Sequence, residues 1–230
     1  MDEEAQQAQA LRRRRMRYLV PPLVLLVIGG YVGQALFPRL VDSNPTLLLL
    51  LNPRNVNLAL VSNDLDAWTF YGVASFRLLL TDPIWFFFGR EYGSQAIDWL
   101  EKRSPTYGGM ARQAEGWFGK AAYPLVAAAP NNWICLLAGA AWMRPVVFVV
   151  LNVGGTFGRL FLIRRLGVVF SDPLTNVRGF ISDYQAPLLV LSISLVAFSI
   201  WNERRQGRGE LESLTHLDDE LIDPNGEEDD

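Results

Sequence analysis

The stretch TLLLLLNPRNVNLALVS (46–62) decides how this chain is read. It is apolar at both ends and broken by Asn52-Pro53-Arg54-Asn55. A proline inside a helix removes a backbone hydrogen bond and clashes with the preceding turn, so one clean crossing of a bilayer is excluded. Two short half-helices that dip in from one face fit the pattern. Such a break is tolerated at membrane depth only where protein or water surrounds it. The stretch AYPLVAAAPNNWICLLAGAAWM (122–143) has the same form, with its break at Pro130-Asn131-Asn132.

Each broken stretch precedes a long apolar span. AWTFYGVASFRLLLTDPIWFFF (67–88) carries Asp82, and PVVFVVLNVGGTFGRLFLI (145–163) carries Arg159. A charge in hydrocarbon is costly and marks a pathway, a relay or a partner. Aligning Pro53 with Pro130 brings Arg54 onto Asn131, Asn55 onto Asn132, Leu60 onto Leu137 and Asp82 onto Arg159. The chain thus reads as two copies of one unit, re-entrant hairpin plus transmembrane helix. Entry of the two hairpins from opposite faces would make the repeat inverted, the architecture of many transporters, whose site lies where the breaks meet. The fold class expected is therefore all-α: a polytopic membrane protein with an inverted repeat and about four spans.

Composition agrees. Half of the 230 residues are hydrophobic, gathered into runs near 18–37, 46–62, 67–88, 121–163 and 186–201. Each is long enough to enter or span a bilayer, which takes about 20 apolar residues per helix. A mean hydropathy of only +0.14 reflects polar ends diluting an apolar middle. The net charge of −3 hides an asymmetry, because the tail from Glu210 is rich in Asp and Glu with no Lys or Arg, and the body is basic. A basic body suits anionic headgroups. The bases flank apolar spans instead of forming a folded patch, so no nucleic-acid partner is expected.

The expected organisation is a basic cytoplasmic arm over 1–17, a membrane domain over 18–201 and an acidic disordered tail over 202–230. Residues 90–120 and 166–184 read as amphipathic interfacial segments. Arg12 to Arg15 beside the first span, and Arg204, Arg205 and Arg208 after the last, place both termini in the cytoplasm. Arg164 and Arg165 would then face outward, against the simple count. The preponderance of Arg over Lys suggests a GC-rich bacterial genome and hence a bacterial plasma membrane. One cysteine, Cys135, excludes an internal disulfide. The one histidine, His216, lies in the tail. No metal, no cofactor and no enzymatic activity are expected.

Candidate substrate and coupling residues are Arg54, Asn55, Asp82, Asn131, Asn132 and Arg159. Half-helix ends expose unpaired N–H and C=O groups. The three asparagines can satisfy those groups or hold a polar headgroup. Arg54 suits a lipid phosphate or snorkels to the interface. Asp82 and Arg159 form a static bridge or a proton-linked switch, with Arg77 a competing partner for Asp82. Gly154, Gly155 and Gly158 read as helix-packing positions.

Three stretches together resemble the DedA family, also called VTT-domain or SNARE-associated membrane proteins. Asp82-Pro83-Ile84-Trp85-Phe86-Phe87-Phe88-Gly89-Arg90-Glu91-Tyr92-Gly93 resembles its acid, aromatic run and Gly-Arg-x-x-Gly. Leu137 to Met143 resembles its Ala-Gly-x-x-x-Met, and Phe148 through Asn152 to Gly155 its Phe-x-x-x-Asn-x-x-Gly. Where the family carries arginines around the second hairpin, this chain has Leu125, Ala128 and Asn131. The resemblance covers roughly residues 45–165. It implies a transporter, a lipid scramblase or flippase, moving an anionic phospholipid or polyprenyl phosphate between leaflets with proton coupling, and membrane lipids as partners. The alternative is a non-transporting scaffold that recruits partners through its interfacial helices and acidic tail.

Overall fold

The computed structural model describes residues 20–93, 118–128 and 130–205, which are helical apart from short turns, with no strand among them. The basic arm, most of the 90–120 connection and the acidic tail beyond Arg205 lie outside the described residues. The helices are α1 (Val20–Ala35), α2 (Phe37–Ser43), α3 (Pro45–Leu51), α4 (Asn55–Val61) and α5 (Ala67–Tyr92). They continue as α6 (Phe118–Ala128), α7 (Asn132–Ala140), α8 (Pro145–Val169), α9 (Ser171–Asp183) and α10 (Gln185–Arg205).

Both breaks fall where proline and asparagine put them. α3 ends before Asn52-Pro53, because the residue before a proline is pushed out of the helical region, and α7 opens two residues after Pro130. Arg54 and Asn131, the residues aligned in the repeat, are the N-caps of α4 and α7. Asn55 and Asn132, the residues after those caps, open the second half-helices. The packing repeats as well. α5 lies on α3 and α7, α8 lies on α6 and α4, and α5 and α8 lie on each other. Exchanging the halves carries each pairing onto another.

Two helices, α8 and the Gln185–Asn202 part of α10, are long and apolar enough to cross a membrane. A third span exists if α1 and α2 count as one, although they meet at 83°. The sequence reads 18–37 as one straight span. The chain bends at Leu36, and Pro38 starts a new helix in its first turn, where a missing N–H costs nothing. The 67–88 span is present as α5, with 26 residues, but is not among the helices apolar enough to span alone. Arg77, Thr81 and Asp82 are buried within it. Packed on three helices, α5 needs less hydrocarbon-facing surface than a helix bathed in lipid. α8 runs past the expected end at Ile163 to Val169. Arg164 there donates to the Leu65 carbonyl at 3.1 Å and stacks over Phe70 and Tyr71.

Two cores hold the halves together. One joins Trp85, Phe86 and Phe88 of α5 to Ile134 through Ala138 of α7 and Phe148 of α8. Phe86 and Phe148 stack with ring centres 4.0 Å apart. The other joins α2, α3 and α4 to Phe70, Ala74, Leu160 and Ile181. α5 and α7 touch backbone to backbone at Gly89 and Gly139. A Cβ at Gly139 would fall on the carbonyl oxygen of Phe86, and one at Gly89 on that of Leu136. Gly155 makes the equivalent approach to Ala127, whereas Gly154 and Gly158 have nothing within 4 Å and do not pack as expected.

The end of α7 carries a strained residue. Met143 N–H donates to Ala138 O at 3.1 Å and Trp142 N–H to Gly139 O at 2.9 Å, the two bonds of a Schellman ending. Its left-handed position, usually glycine, is Trp142 with φ 56°. Arg90 sits 5.0 Å from the Trp142 ring centre and donates to Met143 O at 2.9 Å.

α9 is tied down by Arg178, which bonds Asp42 at 2.9 Å and pairs with Asp64. Asp66 caps α5 by accepting from Thr69 N–H at 3.1 Å. Thr69, through its hydroxyl and its N–H, holds the Asp66 carboxyl below its ordinary value. A lowered folded pKa means that the cap contributes above the unfolded value and is lost as pH falls through the folded one. Thermal stability should therefore fall slightly on acidification in that range. Asp66→Asn, an equally good cap that does not titrate, should remove that slope in melting curves recorded against pH.

Candidate functional site

A cavity of about 690 Å³ opens between the two breaks. Arg54, Asp82, Asn131, Asn132 and Arg159 line it together with Gln34, Asn52, Arg77 and Thr81. Five of the six residues singled out from sequence thus share one chamber. The sixth, Asn55, is in contact with it through Arg159.

Arg159 reaches from α8 to both breaks. Its Nε and Nη2 donate to Asn55 Oδ1 at 2.9 and 2.6 Å, and its Nη1 to Pro130 O at 3.2 Å. The planar guanidinium fork suits this task, since it presents donors in several directions at fixed angles. The expected bridge between Asp82 and Arg159 is not formed. Arg159 acts on Asp82 only through space, and the nearer neighbours of the carboxylate are Asn152 and Cys135. The reason is local: the exposed acceptors at the two helix breaks lie closer to the guanidinium than the acid does.

Arg77 does not compete for Asp82 either. It donates to Thr81 Oγ1 at 2.7 Å, Leu26 O at 2.9 Å and Leu50 O at 3.0 Å. Leu50 sits in the last turn of α3, where carbonyls have no partner within the helix. Arg77 is therefore a cap that joins α1, α3 and α5.

The first break is stitched by amides. Asn57 Nδ2 donates to Asn52 O at 2.8 Å, and Asn52 Nδ2 donates to Gly30 O and to Gln34 Oε1, both at 3.2 Å. Arg54 is exposed and donates through Nη1 to Gln34 Oε1 at 3.2 Å. The other Arg54 donors have no protein partner among the described residues. At the second break Asn131 Oδ1 accepts from Ile134 N–H at 3.0 Å and caps α7. The first N–H groups of α7 therefore border the chamber.

The chamber thus divides its charges by task. Arg77 and Arg159 are spent on carbonyls and an amide. Arg54 keeps free donors, and Asp82, only 4% exposed, has the side chains of Asn152 and Cys135 as its hydrogen-bonding neighbours. Three arginines against one aspartate make the lining cationic. Free guanidinium donors and a helix N-terminus both favour an anion.

Gln34, Asn52 and Thr81 escaped the sequence reading as site residues. Gln34 carried a signal, being a polar residue in an otherwise apolar run. Asn52 carried another, being the first residue of the break. Among the described residues no group of three or more His, Cys, Asp or Glu is placed to hold a metal ion.

No family model matches this chain, and comparisons with curated proteins and with solved structures likewise return no significant match.

Proposed function

We propose that this chain carries an anionic lipid between membrane leaflets, with the headgroup entering the chamber at Arg54 and the N-terminus of α7. The observation that carries the reading is the cationic cavity set between two helix breaks. Span-length helices surround it, and an arginine ties both breaks together. An inverted repeat of two re-entrant hairpins is the arrangement we infer from the matching N-caps and the exchangeable packing. The stretches 82–93, 137–143 and 148–155, which resemble the DedA family, support the same reading. Asp82, the one carboxylate among the described residues of the chamber lining, is the group that would exchange protons and couple movement to a proton gradient.

Reconstituted vesicles test this. Labelled phosphatidylglycerol should change leaflets faster with protein than without it, and faster than labelled phosphatidylcholine. Arg54→Gln keeps hydrogen-bonding capacity without charge. A charged hydrogen bond is worth roughly 1.5–3 kcal/mol, so the anionic lipid should slow by about tenfold or more. No acceleration of either lipid over empty vesicles would refute the proposal.

A further inference from the structure

The lipid-carrying reading leaves open how hydrocarbon tails stay in the bilayer while the headgroup is inside, and the position of α10 bears on this. α10 is long enough to span, yet none of its Gln185–Asn202 window is buried. It packs on α2 and α9. Gln185, at its start, donates to Pro38 O of α2 at 3.3 Å. Farther along, Ser192 Oγ donates to the main-chain oxygen of Gln34 in α1 at 2.6 Å.

The same helix forms a wall of the chamber. Ser192, Leu195, Val196 and Ser199 line the cavity, and their spacing puts them on one helical face. Opposite, α1 contributes Leu23, Leu26 and Val27, then Gln34 toward the polar end. An apolar stripe on α1 and the Leu195–Val196 pair between two serines on α10 therefore flank the chamber, each on a helix whose outer surface suits lipid. The remaining walls come from the breaks and from α5 and α8. Gln34 stands at the junction, since its side chain holds Asn52 and Arg54 while its carbonyl holds α10.

We propose that α10 is the side door of the chamber. It swings on its Gln185 end and is latched to α1 at Ser192 and Gln34. The hydrocarbon tails of the carried lipid pass between Leu23, Leu26 and Val27 on α1 and Leu195 and Val196 on α10. This proposal rests on the lipid-carrying reading for its occupant, but the opening of the door does not depend on it.

The test uses the full chain in vesicles with Gln34→Cys and Ser192→Cys joined by a short, reducible thiol cross-linker. Bridging should slow movement of labelled phosphatidylglycerol at least tenfold, and reductant should return the variant to its own unbridged rate. An unchanged rate after bridging overturns the door. A second readout adds Val27→Cys and a lipid-soluble maleimide, with label at position 27 measured by peptide mass spectrometry. Labelling should drop at least tenfold on bridging. Equal labelling in both states also overturns the door. If the unsubstituted chain moves no lipid, the carrier reading has failed, and the labelling result alone decides whether α10 opens.

Discussion

Arg159→Ala should cut lipid movement by roughly tenfold to a hundredfold while the protein still inserts and purifies. The substitution removes the donors to Asn55 and to Pro130 O. Bonds from a charged donor contribute about 1.5–3 kcal/mol, which sets the lower and upper bounds of that loss. The Pro130 carbonyl would be left without its guanidinium partner, and the two breaks without their shared tie. Arg159→Lys restores charge but not the planar fork, so it should recover only part of the rate. Vesicle assays on both variants, with melting curves as the folding control, measure this directly. An Arg159→Ala protein that moves lipid at the wild-type rate would show that the tie between the breaks is irrelevant to function.

Gly139→Val should be strongly destabilising. The added Cβ would fall on the carbonyl oxygen of Phe86 and lie 2.8 Å from the Arg90 nitrogen. Overpacking usually costs about 1–3 kcal/mol when side chains can move aside. Here the obstacle is backbone on a helix pinned by Phe86 and Trp85, so the upper end, about 3 kcal/mol, is expected. For a chain of this size that corresponds to a fall in melting temperature of about 6–12 °C. Gly89→Ala should act in the same direction through Leu136. Gly154→Ala is the control, because its side chain would meet nothing and alanine favours the helix by about 0.5–1 kcal/mol. Melting curves in one detergent distinguish the three. Equal melting temperatures for Gly139→Val and Gly154→Ala would dismiss the close crossing of α5 and α7.

The breaks were legible because their cause is local. Proline and the asparagines beside it act within a few residues, so the breaks at 52–55 and 130–132 follow from the text alone. The gathering of Arg54, Asp82, Asn131, Asn132 and Arg159 was legible for a related reason: charges and amides within apolar runs have few places to go other than one another. Which of them touch was not legible. Asp82 and Arg159 are attractive partners on charge alone, but the approach of α8 to both breaks puts Asn55 and Pro130 O within reach first. Arg77 likewise reads as a partner for a nearby acid and instead serves carbonyls of α1 and α3 and a hydroxyl of its own helix. The bend at Leu36 was written in Pro38 and passed over because the apolar run continues through it. The packing glycines divide in the same way. Composition marks Gly154, Gly155 and Gly158 alike, and only the rotation of α8 selects Gly155.

The exchange of partners between the halves bears on how the protein is made. Beyond α3, α5 finds its neighbours in α7 and α8, which leave the ribosome after it, and α4 waits for α8. Neither half owns a complete interior, so neither can be released alone. Arg77 finds its acceptors on α1, α3 and α5, but for the interval between synthesis of α5 and arrival of α7 and α8, Asp82 needs shelter that only an insertion machine or its vestibule supplies. Biogenesis of this chain is therefore a matter of holding an unfinished first half in waiting, and a nascent chain stopped after residue 93 would be a natural target for quality-control proteolysis.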